Sequence, residues 1–284
     1  MRAAFLADFS RGMAESAGHK TVSNLKIVGF QKRGISFGSL LLIVLSAGFL
    51  SCLGCALNES AKKQAAYHYQ MGISHFSENN MAAALAELTE AEKYDDDNAE
   101  LYNYLGMAYY NKKKFEIAEQ KYLRALALKP NYSEVRNNLG VDYLEMRRWD
   151  DAIYQFKVVT EDVFYQNQAA ANINLGLAYF GKGDYPKALL QMRSVVTNYP
   201  RDPRGRLNLG RVYFALDKTD LAIEEYKKAL ESSRDYANAY YNLGLAYLKT
   251  KDSQAAVAAF QEVLRIAPDS EIGQLSKEYL DTLK

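Results

Sequence analysis

The feature that most constrains this chain is a glycine that recurs at a nearly fixed interval. The steps between successive glycines are 34, 34, 36, 34 and 34 residues. The glycines are Gly72, Gly106, Gly140, Gly176, Gly210 and Gly244. Twelve residues after each glycine stands an alanine, and sixteen after it stands a large residue, as at Ala118 and Tyr122. A period of this length predicts a repeat architecture in which one structural unit stacks on the next.

Each unit is predicted to form two amphipathic helices, because apolar residues recur three and four positions apart. Glycine and alanine remove side-chain bulk where the helices of a pair cross, and the large residues are expected to fill the space between pairs. This pattern resembles the tetratricopeptide repeat. The resemblance implies an all-α fold, a right-handed superhelix of six helix pairs. After the last unit, residues 270–284 predict a polar-faced capping helix with Ser270 as its N-cap.

The sequence divides into five segments. Residues 1–33 are expected to form an N-terminal extension or long n-region, and residues 34–57 a signal or membrane-anchor segment. Residues 58–64 are expected to form a linker, 65–268 the six repeat units, and 269–284 the capping helix.

The second segment contains no charged residue between Gly34 and Asn58, and Lys32 and Arg33 precede it. A basic stretch followed by an apolar one is typical of a secretory signal. The same segment is long enough to remain as an uncleaved anchor, and its N-terminal basic residues would keep that end in the cytoplasm. Both interpretations place the repeats outside the cytoplasm.

The only two cysteines, Cys52 and Cys55, lie at the end of this segment. Residues 49–51, Phe-Leu-Ser, resemble the start of a bacterial lipobox, in which the following cysteine receives lipid. Cys55 is the alternative, because Gly54 precedes it. A disulfide between residues three apart is strained and cross-links almost nothing, and a metal site needs more ligands than lie nearby. We therefore favour lipid attachment at Cys52.

Catalysis is not expected, because the sequence contains no nucleophile elbow, phosphate loop or paired-histidine zinc motif. His68 and His75 lack suitably spaced partners for a metal and are interpreted as packing residues. The net charge of +1 and the lack of a sustained basic block after residue 60 argue against nucleic acid. We expect no cofactor and no metal, and a protein as the partner.

The partner is predicted to bind a groove lined by the first helix of each pair. Asparagines would bond a guest backbone and apolar residues would grip its side chains, although some of this set could instead pack within the superhelix. Arg204 and Arg211 flank Asn208 and could hold a carboxylate. The predicted groove residues are Phe76, Met107, Tyr110, Asn138, Val141, Leu144, Asn174, Leu177, Phe180, Asn208, Arg211, Phe214, Asn242 and Leu245.

The third unit is two residues longer than the others and contains NNLGVDYLEMRRWDDAIYQFKVVTEDVFYQNQ before the next Asn-Leu-Gly. This stretch resembles the pilotin family of type IV pilus biogenesis lipoproteins (PilF/PilW type), although residues 164–166 replace the expected aromatic-proline pair. The resemblance implies an outer-membrane lipoprotein that faces the periplasm, binds secretin subunits and helps them assemble. The alternatives are a general periplasmic adaptor for envelope assembly or peptidoglycan enzymes, and an inner-membrane anchored protein.

Overall fold

The computed structural model describes residues 59–283, which form helices joined by short turns. The first helix, α1, is described from 59 to 77. Twelve helices follow it in the described residues: α2 (Met81–Tyr94), α3 (Ala99–Asn111), α4 (Phe115–Leu128), α5 (Ser133–Glu145), α6 (Trp149–Glu161), α7 (Gln168–Gly181), α8 (Tyr185–Asn198), α9 (Pro203–Ala215), α10 (Thr219–Ser232), α11 (Ala237–Lys249), α12 (Ser253–Ile266) and α13 (Glu271–Thr282).

The helices are arranged as six consecutive pairs, from α1 and α2 to α11 and α12, with α13 after the last pair. Each helix packs on its neighbours along the chain. The first helices of successive pairs also touch, as α5 touches α7 and α7 touches α9, whereas no two second helices of the described pairs touch each other. The first helices therefore form the inner surface of the curved stack. This confirms the predicted superhelix of six pairs.

Each pair is held together by the fixed glycine and the large residue sixteen positions later. A Cβ atom added to Gly106 would lie 2.4 Å from Cε1 of Tyr122, and one added to Gly140 would lie 2.6 Å from Cε1 of Phe156. The large residue thus packs on the glycine of its own pair. The sequence analysis placed it only between pairs, and that was wrong, because the missing Cβ leaves a notch that the ring fills.

The turn inside each pair contains one residue with left-handed backbone, seven positions after the glycine. In the second pair this residue is Lys113, with φ of 56°. Its amide donates to the Tyr110 carbonyl at 2.8 Å and the Lys114 amide donates to the Tyr109 carbonyl at 2.9 Å, which ends α3 in a Schellman motif. The equivalent residues are Asn79, Arg147, Gly183, Asp217 and Lys251.

The two ends of the repeat array differ from each other in how well they were predicted. Ser270 Oγ accepts a hydrogen bond from the Gly273 amide at 3.1 Å, which confirms this N-cap of α13. Residues 59–64, by contrast, belong to α1 and are not the predicted linker. Alanine, lysine and glutamine favour a helix there, and Lys63 Nζ lies 2.8 Å from Glu59 Oε1 one turn earlier.

The predictions for residues 1–58, including lipid attachment at Cys52 or Cys55, lie outside the described residues. Among the helices of residues 59–283, none has the length and hydropathy needed to cross a membrane.

Candidate partner-binding groove

The predicted groove residues all lie on first helices, which form the inner surface. Every one of them is half-buried except Asn208, which is buried. The residue directly after each fixed glycine occupies the same place in successive pairs. It is Met107, Val141, Leu177, Arg211 and Leu245 in the second to sixth pairs. These side chains form a row that is apolar over three successive pairs and is interrupted by one arginine in the fifth pair.

A cavity of about 210 Å³ opens between α3 and α5. It brings together four of the predicted residues, Met107, Tyr110, Asn138 and Val141. The Tyr110 hydroxyl donates to Glu145 Oε1 at 3.4 Å and lies at its polar edge. An apolar wall with a polar edge suits one apolar side chain of a guest segment. The cavity is also lined by Asn111 and Tyr122.

The groove asparagines already form hydrogen bonds within the protein. Asn138 Nδ2 donates to Asn103 Oδ1 at 3.0 Å, and Asn174 Nδ2 donates to Asn137 Oδ1 at 3.2 Å. Both bonds connect the first helices of neighbouring pairs. The other two asparagines donate to carbonyls of their own helices, Asn208 to Arg204 at 2.9 Å and Asn242 to Asn238 at 2.7 Å. The half-buried amides of Asn138, Asn174 and Asn242 each have a second N–H that these bonds do not use, whereas Asn208 is buried.

The two arginines expected to hold a carboxylate differ in what they contact. Arg204 is already bound to Asp202, with Nη2 at 2.6 Å from Oδ2. Arg211 donates from Nη1 to Asn208 Oδ1 at 3.1 Å, and its Cζ lies 5.4 Å from the centre of the Phe180 ring. Arg211 forms no ion pair with any described residue. It is therefore the arginine that remains open to a carboxylate.

A group of aromatic side chains that the repeat pattern did not predict lies on or directly before first helices of the N-terminal pairs. We call Tyr69 of α1, Tyr104 of α3 and Tyr132, directly before α5, the tyrosine cluster. The ring centres of Tyr69 and Tyr104 are 6.0 Å apart at 74°, and those of Phe76 and Tyr104 are 5.6 Å apart at 80°. All are half-buried. The three tyrosines occupy different places in the repeat, so the repeat pattern gave no signal for them.

Asp142 is the second feature that the sequence analysis missed. Its side chain is fully buried, and neither carboxylate oxygen has a hydrogen-bond partner. The pKa of Asp142 is raised to about 7, chiefly by burial and next by the nearby carboxylates Glu119 and Glu116 of α4, while Arg148 opposes the shift. The signal was its position two residues after the fixed glycine, where three other first helices have alanine.

The longer connection of the third unit joins α6 to α7. Phe164 and Val163 expose 89% and 82% of their surface there, although both are apolar. The Asp162 carboxylate fixes the start of this connection, because it accepts hydrogen bonds from the Ser133 hydroxyl and from the Phe164 amide. Tyr165 points inward and is half-buried.

His68 and His75 both take part in packing contacts. His68 Nδ1 lies 2.7 Å from Glu87 Oε2, and its ring stacks on Tyr94 with centres 6.0 Å apart. His75 Nδ1 lies 3.5 Å from Glu78 Oε2. Within residues 59–283, no three histidine, cysteine, aspartate or glutamate side chains are grouped so that they could hold a metal ion.

Family models match nearly all of the chain between residues 69 and 270. A model described as tetratricopeptide repeat matches 69–133 and 137–203, another of the same description matches 237–270, and one described as TPR repeat matches 210–251. The chain is a tetratricopeptide-repeat protein. In such proteins the repeats serve mainly as surfaces for binding other proteins.

Two relatives illustrate what this tetratricopeptide-repeat protein is similar to in sequence. The type IV pilus assembly protein PilF of Pseudomonas aeruginosa is 24% identical over 110 residues, which is 39% of this chain and 44% of that protein. The human protein O-mannosyl-transferase TMTC1 is 26% identical over 193 residues, which is 66% of this chain and 21% of that protein. The chain therefore spans less than half the length of these curated relatives.

Solved structures share the fold over most of their length. A crystal structure of PilW, described as a widely conserved type IV pilus biogenesis factor, superposes with a TM-score of 0.66 at 20% identity. The match covers 74% of this chain and 97% of PilW. Pseudomonas aeruginosa PilF gives 0.61 at 18% identity, over 77% of this chain and 99% of that structure. At these identities the likeness establishes a common tetratricopeptide-repeat fold.

Proposed function

We propose that this tetratricopeptide-repeat protein is a non-enzymatic envelope lipoprotein whose groove binds a secretin subunit, and that it assists the secretin in reaching the outer membrane and assembling there for type IV pilus biogenesis. The observation that carries partner binding is the row of half-buried apolar side chains along the first helices, with the cavity between α3 and α5. The longer third unit and the fold shared with PilW and PilF support the choice of a secretin.

The groove would act by capture, without a covalent step. Its walls are helices fixed by their own packing, so little ordering cost falls on the protein when a guest binds. An apolar side chain of the guest would enter the cavity lined by Met107 and Val141. The remaining N–H groups of Asn138 and Asn174 would then lie beside the guest backbone.

The lipid would supply residence at the membrane, since several acyl chains anchor a protein durably where a single chain does not. We place the lipid on Cys52, with Cys55 as the alternative. The repeats would face the periplasm from the outer membrane. The mass of the mature N-terminal peptide tests this part. A diacylglyceryl-cysteine supports it, and an intact 35–57 segment contradicts it and favours an inner-membrane anchor.

The decisive experiment is the amount of heat- and detergent-resistant secretin multimer in cells that lack this protein. We expect the multimer to disappear while secretin monomer remains. Wild-type protein and Leu190→Glu should restore it, because Leu190 is 73% exposed on the second helix α8, away from the inner surface. Met107→Glu and Leu177→Glu should not restore it, although both variants should remain helical by circular dichroism.

Normal multimer and normal pili in the deletion strain would contradict the secretin assignment. The general periplasmic adaptor would then be the function to pursue, by crosslinking from position 107 to find its partner. If the deletion strain loses the multimer but Met107→Glu restores it fully, the groove assignment at α3 is wrong.

A further inference from the structure

The tyrosine cluster presents aromatic rings from three successive inner segments to the groove. Tyr104 stands between Tyr69 and Phe76 and meets both rings edge to face. Tyr132 extends the cluster towards α5, and its hydroxyl lies near the side chains of Asn103 and Tyr104. The three tyrosines are only half-buried, so part of each side chain is accessible to a guest. Aromatic faces in such a position attract cations as well as apolar groups.

Two carboxylates border this cluster without a cation of their own. Glu100 lies in the first turn of α3 and Glu134 in the first turn of α5, and both are exposed. Neither forms an ion pair with a described residue. Among the described residues, the side chain of Glu134 has one hydrogen bond, which its Oε1 accepts from Asn103 Nδ2 at 3.5 Å. Lys129 covers one face of the Tyr132 ring, with its Nζ 4.2 Å from the ring centre, so the rings offered to a guest cation are chiefly those of Tyr69 and Tyr104.

The two carboxylates act on the tyrosines directly. The pKa of Tyr69 is raised to about 12, chiefly by burial and next by the charge of Glu100. The pKa of Tyr132 is also raised to about 12, by burial and then by Glu134 and Glu100. A neighbouring negative charge raises the pKa of a phenol only when it lies close to the hydroxyl. The carboxylates of Glu100 and Glu134 therefore lie near the hydroxyls of Tyr69 and Tyr132, beside aromatic rings.

We propose that the tyrosine cluster, with Glu100 and Glu134, is a binding site for a lysine or arginine side chain of the segment that occupies the groove. The rings would contact the methylene stem and the cationic head, and the carboxylates would accept its N–H groups. An anionic side chain would be repelled there, and an apolar one would leave both carboxylates without a partner.

The site also gives the groove a direction. Arg211, the arginine open to a carboxylate, lies on α9, three pairs further along. A guest with a basic residue towards α1 and α3 and an acidic residue or its terminal carboxylate towards α9 satisfies both ends, and the reversed guest satisfies neither. The inference thus deepens the proposed function, because it specifies the chemistry and orientation of the bound segment, and it rests on the guest being a protein.

The test uses the full chain with ring-labelled tyrosines observed by NMR, each signal being assigned with a single Tyr→Phe variant. The probes are N-acetyl-lysine N′-methylamide and its neutral counterpart, N-acetyl-norleucine N′-methylamide. We expect the lysine probe to shift the signals of Tyr69, Tyr104 and Tyr132 in a saturable way that weakens with added salt. The norleucine probe should leave them nearly unchanged. The exposed Tyr67 and Tyr154 serve as internal controls.

The matched variants separate this site from a general effect of net charge. Glu100→Gln with Glu134→Gln should weaken the lysine probe about tenfold or more. Glu161→Gln with Glu231→Gln removes the same charge from exposed positions on the second helices α6 and α10, and should leave binding unchanged. Circular dichroism should show the same helix content in all variants.

Three results would overturn the inference. The first is an equal shift with the norleucine probe, which would indicate an apolar guest. The second is unchanged binding of the lysine probe to the variant with Glu100→Gln and Glu134→Gln. The third is a shift of the control tyrosines as large as that of the cluster. Because the probe needs no secretin, this test is independent of the multimer experiment. If the lysine probe binds and the deletion strain keeps a normal secretin multimer, the proposed function is contradicted and the binding site is still supported.

Discussion

The third helix pair differs from its neighbours in the interior of the stack. Two residues after the fixed glycine it carries Asp142, whereas the second, fourth and sixth pairs carry Ala108, Ala178 and Ala246. All four side chains are fully buried. The alanines fill their places with no polar group, and the Asp142 carboxylate has no hydrogen-bond partner. The same buried position in the repeat thus holds alanine, which is buried at little cost in free energy, and an unpartnered carboxylate, which is buried at a large cost.

The third pair also differs from its neighbours at its surface, through the connection with the exposed Val163 and Phe164. It keeps the contact that the other pairs share, since Phe156 still packs on Gly140. Because each pair is held by its own contact and touches only nearby helices, one pair can carry unfavourable residues without loss of the stack. Departures from the repeat therefore mark places where packing alone did not decide the residue.

The largest effect on stability is expected when Ala178 of the fourth pair is replaced by aspartate, the residue at the equivalent position of the third pair. Ala178→Asp places an uncompensated charge in the interior, and we expect it to lower the free energy of unfolding at pH 8 by about 3 kcal/mol. Urea unfolding followed by circular dichroism measures this. Ala82→Asp, on the exposed side of α2, is the control and should stay within about 0.5 kcal/mol. A loss at Ala178 as small as the control's would mean that this place tolerates a carboxylate.

The opposite exchange, Asp142→Ala, should stabilise the protein by about 2 kcal/mol at pH 8, because it removes a buried unpartnered group. The gain should shrink as the pH falls. The pKa of Asp142 is about 7 in the folded state against 3.8 ordinarily. Below both values the carboxyl is protonated in both states, so the wild type loses stability as the pH rises from about 4 through about 7.

Unfolding curves at pH 4, 6 and 8 test this pH dependence. Asp142→Asn is the matched control, because it keeps a buried polar group but has no proton to lose, and its stability should lack the step of the wild type. A gain for Asp142→Ala that is the same at every pH would show that packing, and not the charge, sets the difference between the third pair and the others.

The smallest effect is expected at the surface of the third pair. Val163→Ser combined with Phe164→Ser should change the free energy of unfolding by no more than about 0.5 kcal/mol, because both side chains are almost fully exposed. Tyr165→Ala is the comparison within the same connection and should cost more, since its ring is half-buried. If the serine variant unfolds much more easily than the wild type, Val163 and Phe164 pack against the helices and are not the exposed side chains described above.

The fold could be predicted because its contacts repeat. The alanine twelve residues after each glycine, Ala118 for example, is fully buried in every pair, and the glycine faces the large residue of its own pair each time. Six copies of one contact leave a regular trace in the sequence. That the groove positions lie on first helices was predictable for the same reason, since helix register places them on one side, while their role in binding a partner stays a prediction.

The remainder of the site depends on contacts that do not repeat. The tyrosine cluster forms between units whose sequences differ, so no spacing rule unites Tyr69, Tyr104 and Tyr132. The engagement of Arg204 depends on Asp202, which also caps α9. The role of the asparagines was left open between guest binding and structure, and only the cross-helix bonds, such as Asn138 to Asn103, reveal the structural part.

The contacts between first helices, and the lack of contacts between second helices in the described pairs, have a mechanical consequence. Each second helix packs on the first helix of its own pair and on that of the next pair, so the angle between successive pairs is set by these contacts and by those between first helices. A small rotation from each pair to the next adds up along six pairs. The contacts between successive pairs therefore set the curvature of the stack and with it the width of the groove.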